Sequence, residues 1–152
     1  MSTLAEADPH AGGSVKVDLA REAFVLFVNL QEGISDLALT VQFRRLQASI
    51  RALARLAKLF QLPVIVSTVP RRGGGQAKLM PVLGEVLGDL KSYERTTPAS
   101  FANAGIAAAA AATKRKVVLV SGVATEVAVQ LACLSALERG YRAQMVVDAC
   151  RS

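Results

Sequence analysis

Lys116-Val117-Val118-Leu119-Val120, followed by Ser121-Gly122-Val123-Ala124 and then by residues 126–139, is the stretch that decides the fold. Its opening is continuously apolar, as a strand buried on both faces requires. Residues 126–139 read as a helix that stops at Gly140, a residue suited to the left-handed helix end. The same succession recurs outward from here. Ala23-Phe24-Val25-Leu26-Phe27-Val28 is a second unbroken apolar run, and residues 41–60 after it carry apolar side chains at helical spacing. A short strand is expected over 63–68, a loop over 71–76 and a helix over 81–90. A brief strand over 93–95, an alanine-rich helix opened by Pro98 and a fifth strand over 143–147 complete the series.

Strand alternating with helix calls for a parallel sheet covered on both faces, a three-layer α/β/α, Rossmann-like architecture. Ligands in such sheets sit at the carboxyl ends of the strands, where the strand order reverses. Residues 1–20 are small and polar and read as a flexible tail, with a single domain over 21–152.

Composition narrows the function. The chain has 152 residues, 52% of them hydrophobic, enough for one packed core and too few for two. The net charge of +6 raises the question of nucleic acid. Helical spacing, however, places Arg44, Arg51, Arg55 and Lys58 opposite Leu46, Ile50, Leu53 and Phe60, the pattern of a solvated outer face. With aromatics at 5% and no stacking platform beside the basic residues, nucleic-acid binding is not expected. Residues 1–18 lack the apolar core of a secretory signal. The most apolar window, 117–137, is interrupted by Gly122 and Glu126, so no membrane span is expected. Two cysteines, Cys133 and Cys150, make neither a metal spacing nor a disulfide framework, which points to the cytoplasm. Gly73-Gly74-Gly75 lacks the Lys-Ser/Thr ending of a phosphate-binding loop. No metal and no cofactor are expected; the lone histidine, His10, lies in the tail.

Three segments, in order and at matching spacing, resemble the isochorismatase-like (nicotinamidase-related) cysteine hydrolases. Leu26-Phe27-Val28-Asn29-Leu30-Gln31 is similar to that family's first strand ending in Asp-x-Gln. Arg95, followed six residues later by Phe101, is similar to its Lys or Arg segment. Gly122-Val123-Ala124-Thr125-Glu126-Val127-Ala128-Val129 resembles Gly-Val-x-Thr-Asp/Glu-x-Cys-Val, with Gly140-Tyr141 and Val146-Val147-Asp148-Ala149 fitting behind it.

The resemblance implies a catalytic triad at Asn29, Arg95 and Ala128. It also implies a cis peptide between Val123 and Ala124, and an oxyanion site at the amides of Ala124 and Ala128. Gln31, Phe101 and Thr125 would line the pocket. Two triad positions depart from the pattern. The nucleophile is replaced by Ala128, which has no reactive atom, and the acid/base by Asn29, an amide that does not titrate near neutral pH. The expectation is a degenerate hydrolase that keeps a small-molecule pocket and, like its relatives, forms homo-oligomers. One alternative is an active hydrolase using water or Cys150; another is a structural or partner-binding subunit.

Other positions carry two readings at this point. Gln31 either points into the pocket or fixes the turn after the strand. Thr125 is the expected N-cap of the helix, and Glu126 either favours that helix start or acts in catalysis. Cys133 is expected to face the core. Relatives continue beyond this point with another helix and usually a strand, so the domain is expected to be short at its C-terminus, or the chain to be a fragment. The fifth strand would then lie at a sheet edge with Met145, Val146 and Val147 exposed, and is expected to be covered by another subunit or by rearranged local structure.

Overall fold

The computed structural model describes residues 16–35 and 42–152. Five parallel strands form one sheet in the order β3-β2-β1-β4-β5. They are β1 (Ala23–Val28), β2 (Val64–Thr68), β3 (Ser92–Glu94), β4 (Val117–Val123) and β5 (Arg142–Arg151). The helices are α1 (Leu19–Glu22), α2 (Phe43–Leu59), α3 (Pro81–Leu87), α4 (Ala104–Ala112) and α5 (Gln130–Glu138).

β1 shows how the sequence makes three layers. All six of its residues are buried. Ala23, Val25 and Phe27 pack with Leu46, Ile50 and Leu53 of α2 and with Val82, Leu83 and Val86 of α3. Phe24, Leu26 and Val28 pack on the other face with Ile106 and Ala110 of α4 and Ala132 and Ala136 of α5. Period-two alternation therefore feeds two separate cores from one apolar run. Burying a side chain as large as Phe or Leu stabilises by about 1.5–3 kcal/mol, so this strand anchors both layers. Lower down, the Arg115 guanidinium donates to the carbonyls of Ala20 and Ala23, 95 and 92 residues earlier, tying the entrance of β1 to that of β4.

The expected order of elements holds, with changes at the ends. β4 runs on to Val123 because Gly122, at φ 149, lies against β1: a Cβ there would collide with the carbonyl of Val28. The alanine-rich helix does not begin at Pro98. A 3-10 turn over Ser100–Ala102 comes first, and α4 starts when the Asn103 side chain accepts from Ile106 N–H at 3.1 Å. β3 ends at Glu94, so Arg95 lies just beyond it rather than within it. Thr125 does not cap its helix: the N-cap is Ala124, with no side-chain cap, and the first turn, Thr125–Val129, is π-helical before α5 follows. Phe60, expected on the apolar face of α2, is 48% exposed.

β5 is longer than expected. Val120 pairs with Met145 but Gly122 with Cys150, so residues 146–149 bulge out opposite Ser121, whose hydroxyl donates to the Ala149 carbonyl at 2.6 Å. β5 is an edge strand, and Val147 is 71% exposed. The tail expected over 1–20 falls largely outside the described residues, as does His10; its last two residues enter α1.

Candidate functional site

The strand order reverses between β1 and β4, and the carboxyl ends of these two strands carry the candidate residues. Asn29 follows β1 with φ 55, a left-handed conformation that asparagine tolerates better than most side chains, and its N–H donates to the Ser67 carbonyl. Arg95 reaches over from the end of β3. Its Nη2 donates to Asn29 Oδ1 at 2.8 Å, Nε to Ser67 Oγ at 2.7 Å and Nη1 to the Thr97 carbonyl at 2.6 Å.

Arg95 is only 3% exposed, and burial pulls its pKa below the ordinary arginine value. A guanidinium nevertheless stays charged in proteins. Among the described residues no carboxylate forms an ion pair with it; the three ion pairs present involve Arg21, Arg51 and Arg142. A buried cation held by three neutral acceptors is the dominant electrostatic feature of the site.

Asn29 shares an open depression of about 330 Å³ with Ile34, Val123, Ala124, Val127, Ala128 and Ser152. The peptide between Val123 and Ala124 is cis, as the resemblance implies. Ala128 is buried in the π turn that leads into α5 and presents a methyl group. Asn29, Val123, Ala124 and Ala128 are thus gathered at one place, with Arg95 behind Asn29.

The remaining sequence candidates sit elsewhere. Gln31 is 1% exposed and exchanges two hydrogen bonds with the backbone of Val69, donating to its carbonyl and accepting from its N–H, so it fixes the ends of β1 and β2. Phe101, read as a pocket residue, is packed in the α4–α5 core against Tyr141, 5.4 Å between ring centroids. Thr125 is half-buried at the helix start and does not line the depression. Glu126 is exposed; its hydrogen bonds, that with Ser152 foremost, hold its carboxyl below the usual range. Cys150 is buried, its thiol turned toward the Val120 carbonyl and pushed up chiefly by burial. Cys133 is likewise raised by burial. Reactive thiols have the opposite shift.

Sequence reading missed Ser67, Ile34 and Val127. Nothing around Ser67 marks it, because its partner Arg95 lies 28 residues away and is brought near only by β2–β3 pairing. A second depression, of about 430 Å³, adjoins the first through Ile34 and is lined by Gln31, Glu32, Arg71, Arg72 and Lys78 among others. Among the described residues no group of three metal-ligating side chains occurs, and no helix is long and apolar enough to cross a membrane.

A parallel α/β sheet with a depression at its switch point defines the class: the doubly wound α/β proteins. Within that class, the isochorismatase domain matches residues 23–152, and the chain belongs to that family. A probable hydrolase, YcaC of Escherichia coli K12, is 33% identical over 129 residues, which make up 84% of this chain and 62% of that protein. The chain therefore spans less than two thirds of that relative's length. The crystal structure of the Escherichia coli YcaC gene product, an octameric hydrolase of unknown specificity, superposes with a TM-score of 0.80 at 31% identity, covering 92% of this chain and 68% of that one. YcaC from Pseudomonas aeruginosa, solved with hexane-2,5-diol and covalent acrylamide, gives 0.80 at 30% identity over 92% and 69% of the two chains.

Proposed function

We propose that this protein is a catalytically degenerate member of the isochorismatase family that keeps a small-molecule pocket on a scaffold that assembles into homo-oligomers. One observation carries the reading: the depression is faced by an asparagine amide and an alanine methyl where the family's chemistry needs a carboxylate and a thiolate. Losing a nucleophile in another hydrolase class lowers turnover by roughly 10⁶, leaving mainly binding. The rival reading, an active hydrolase using water or Cys150, is weakened by the burial of Cys150 and its raised thiol pKa. The expected outcome is no measurable hydrolysis of nicotinamide, isochorismate or simple amides. Turnover by purified protein that disappears in Arg95→Ala would overturn the reading.

Assembly has its own support. Val127, Leu134 and Leu137 are all about half exposed, and their spacing puts them on one face of the helix that ends the site. The Escherichia coli relative is octameric. A cytoplasmic location goes with this reading and with two free cysteines. Light scattering after size exclusion is expected to show an oligomer that Leu134→Glu dissociates. A monomer for the unmodified chain would sink the assembly half of the proposal and support neither a subunit role nor a homo-oligomer.

A further inference from the structure

We infer that the depression is an anion cup: it binds a short aliphatic carboxylate in preference to the neutral amide of the same shape. The inference rests on the pocket reading above and names its ligand. The orientation of Asn29 is the starting point. A guanidinium has donors and no acceptor, so the amide of Asn29 must turn its oxygen to Arg95, as the 2.8 Å contact shows. Its NH₂ therefore faces away from Arg95. Asn29 is 7% exposed and lines the depression, and no hydrogen bond from Nδ2 is found among the described residues. The polar group offered to a ligand is thus a donor, at the position where the family pattern has a carboxylate.

The surroundings agree in sign. At the helix opening Val127 and Val129 already donate to the Ala124 carbonyl, and the Glu126 carboxylate takes its own backbone N–H, so the positive sign comes from the side chains. Behind Asn29 lies Arg95, buried and without a counter-charge among the described residues. Arg151, in register with Val123, is also buried, and its Nε and Nη1 have no hydrogen-bond partner among the described residues. The adjoining depression places Arg71, Arg72 and Lys78 against the single acid Glu32. The positive groups thus outnumber the acidic ones around the two depressions, which are Glu32, the exposed Glu126 and the α-carboxylate of Ser152 in the 152-residue chain. Ile34, Val123 and Val127 leave apolar walls for a short hydrocarbon tail.

Calorimetric titration of the full chain with butyrate and with butyramide, at matched ionic strength, tests this. Butyrate is expected to bind at least about tenfold tighter, because hydrogen bonds to an ionised acceptor are roughly twice as strong as neutral ones and 1.4 kcal/mol is tenfold. Asn29→Asp is expected to lower butyrate affinity by at least that factor, since it puts a like charge at the cup. Butyramide binding as tightly as butyrate, or butyrate indifferent to Asn29→Asp, would overturn the inference while leaving the pocket reading intact. Binding of neither compound would overturn the pocket reading and this inference with it.

Discussion

The two sides of the depression are held together in different ways. On the β1–β2–β3 side Arg95, Asn29, Ser67 and Gln31 are buried and hold one another or nearby backbone through hydrogen bonds. On the β4–β5 side Val123, Ala124, Val127 and Ala128 present no polar side-chain atom, and Ser152 after β5 adds one hydroxyl. The polar side is a mutual arrangement: removing any member leaves a buried group unpaired, at a cost of about 1–3 kcal/mol. The apolar side has no such mutual support: Ala128 presents a methyl group to an open hollow. A substitution is therefore expected to cost more on the polar side, where each part supports another, than at Ala128.

The most severe way to break the comparison is at the seam that joins the two sides. Gly122→Ala drives a Cβ into the Val28 carbonyl and is expected to cost about 3 kcal/mol in urea unfolding, or to prevent folding outright. A change under 1 kcal/mol, well below the usual ~1–3 kcal/mol of overpacking, would mean that the seam is looser than drawn. Next comes Ser67→Ala, which strips Arg95 Nε of its acceptor and is expected to cost about 1–3 kcal/mol by the same measurement.

A smaller effect should follow pH. The buried thiol of Cys150 has a folded-state pKa above its unfolded value of about 8.5, so the unfolded chain loses its proton first. Stability from this group is full below about pH 8.5 and falls as pH climbs toward the folded value, and Cys150→Ala should flatten that fall. Unchanged slopes in urea melts across this window would show the thiol to be solvated. Least disturbing of all is Ala128→Cys, expected to shift stability by no more than about 0.5 kcal/mol because the new sulfur points into an open hollow. Combined with Asn29→Asp, it should supply a thiol that iodoacetamide alkylates faster than Cys133 or Cys150, both raised by burial. Equal rates by mass spectrometry would separate residue 128 from the nucleophile position.

How much of this was legible beforehand depended on how local the cause was. β1 is found at 23–28 as the apolar run implies, because burial on both faces writes itself into every residue. The grouping of Asn29, Val123, Ala124 and Ala128 followed from two motifs that each sit at a strand end. What was not legible came from contacts between distant segments. The bulge in β5 depends on Ser121 reaching the Ala149 carbonyl, and Arg95 is positioned by Ser67. Phe101 was misplaced because its spacing from Arg95 says nothing of the 3-10 turn that rotates it into the core beside Tyr141. Thr125 failed as a cap because the helix opens with a π turn, and no residue type announces one.

The clamp of Arg115 on Ala20 and Ala23 also bears on how the chain comes to be folded. β1 is the middle strand of the sheet, yet it is made before both of its neighbours, and β4 is made only after α2, β2, α3, β3 and α4. A ribosome adding about 5–20 residues per second leaves that central strand half-paired for several seconds while the intervening chain emerges. Loop closure across 95 residues must precede the contact that rewards it, which makes this topology a slow folder by its wiring alone. During that interval the apolar run from Ala23 to Val28 has one bare edge, and it is then, more than in the finished molecule, that the protein is exposed to aggregation.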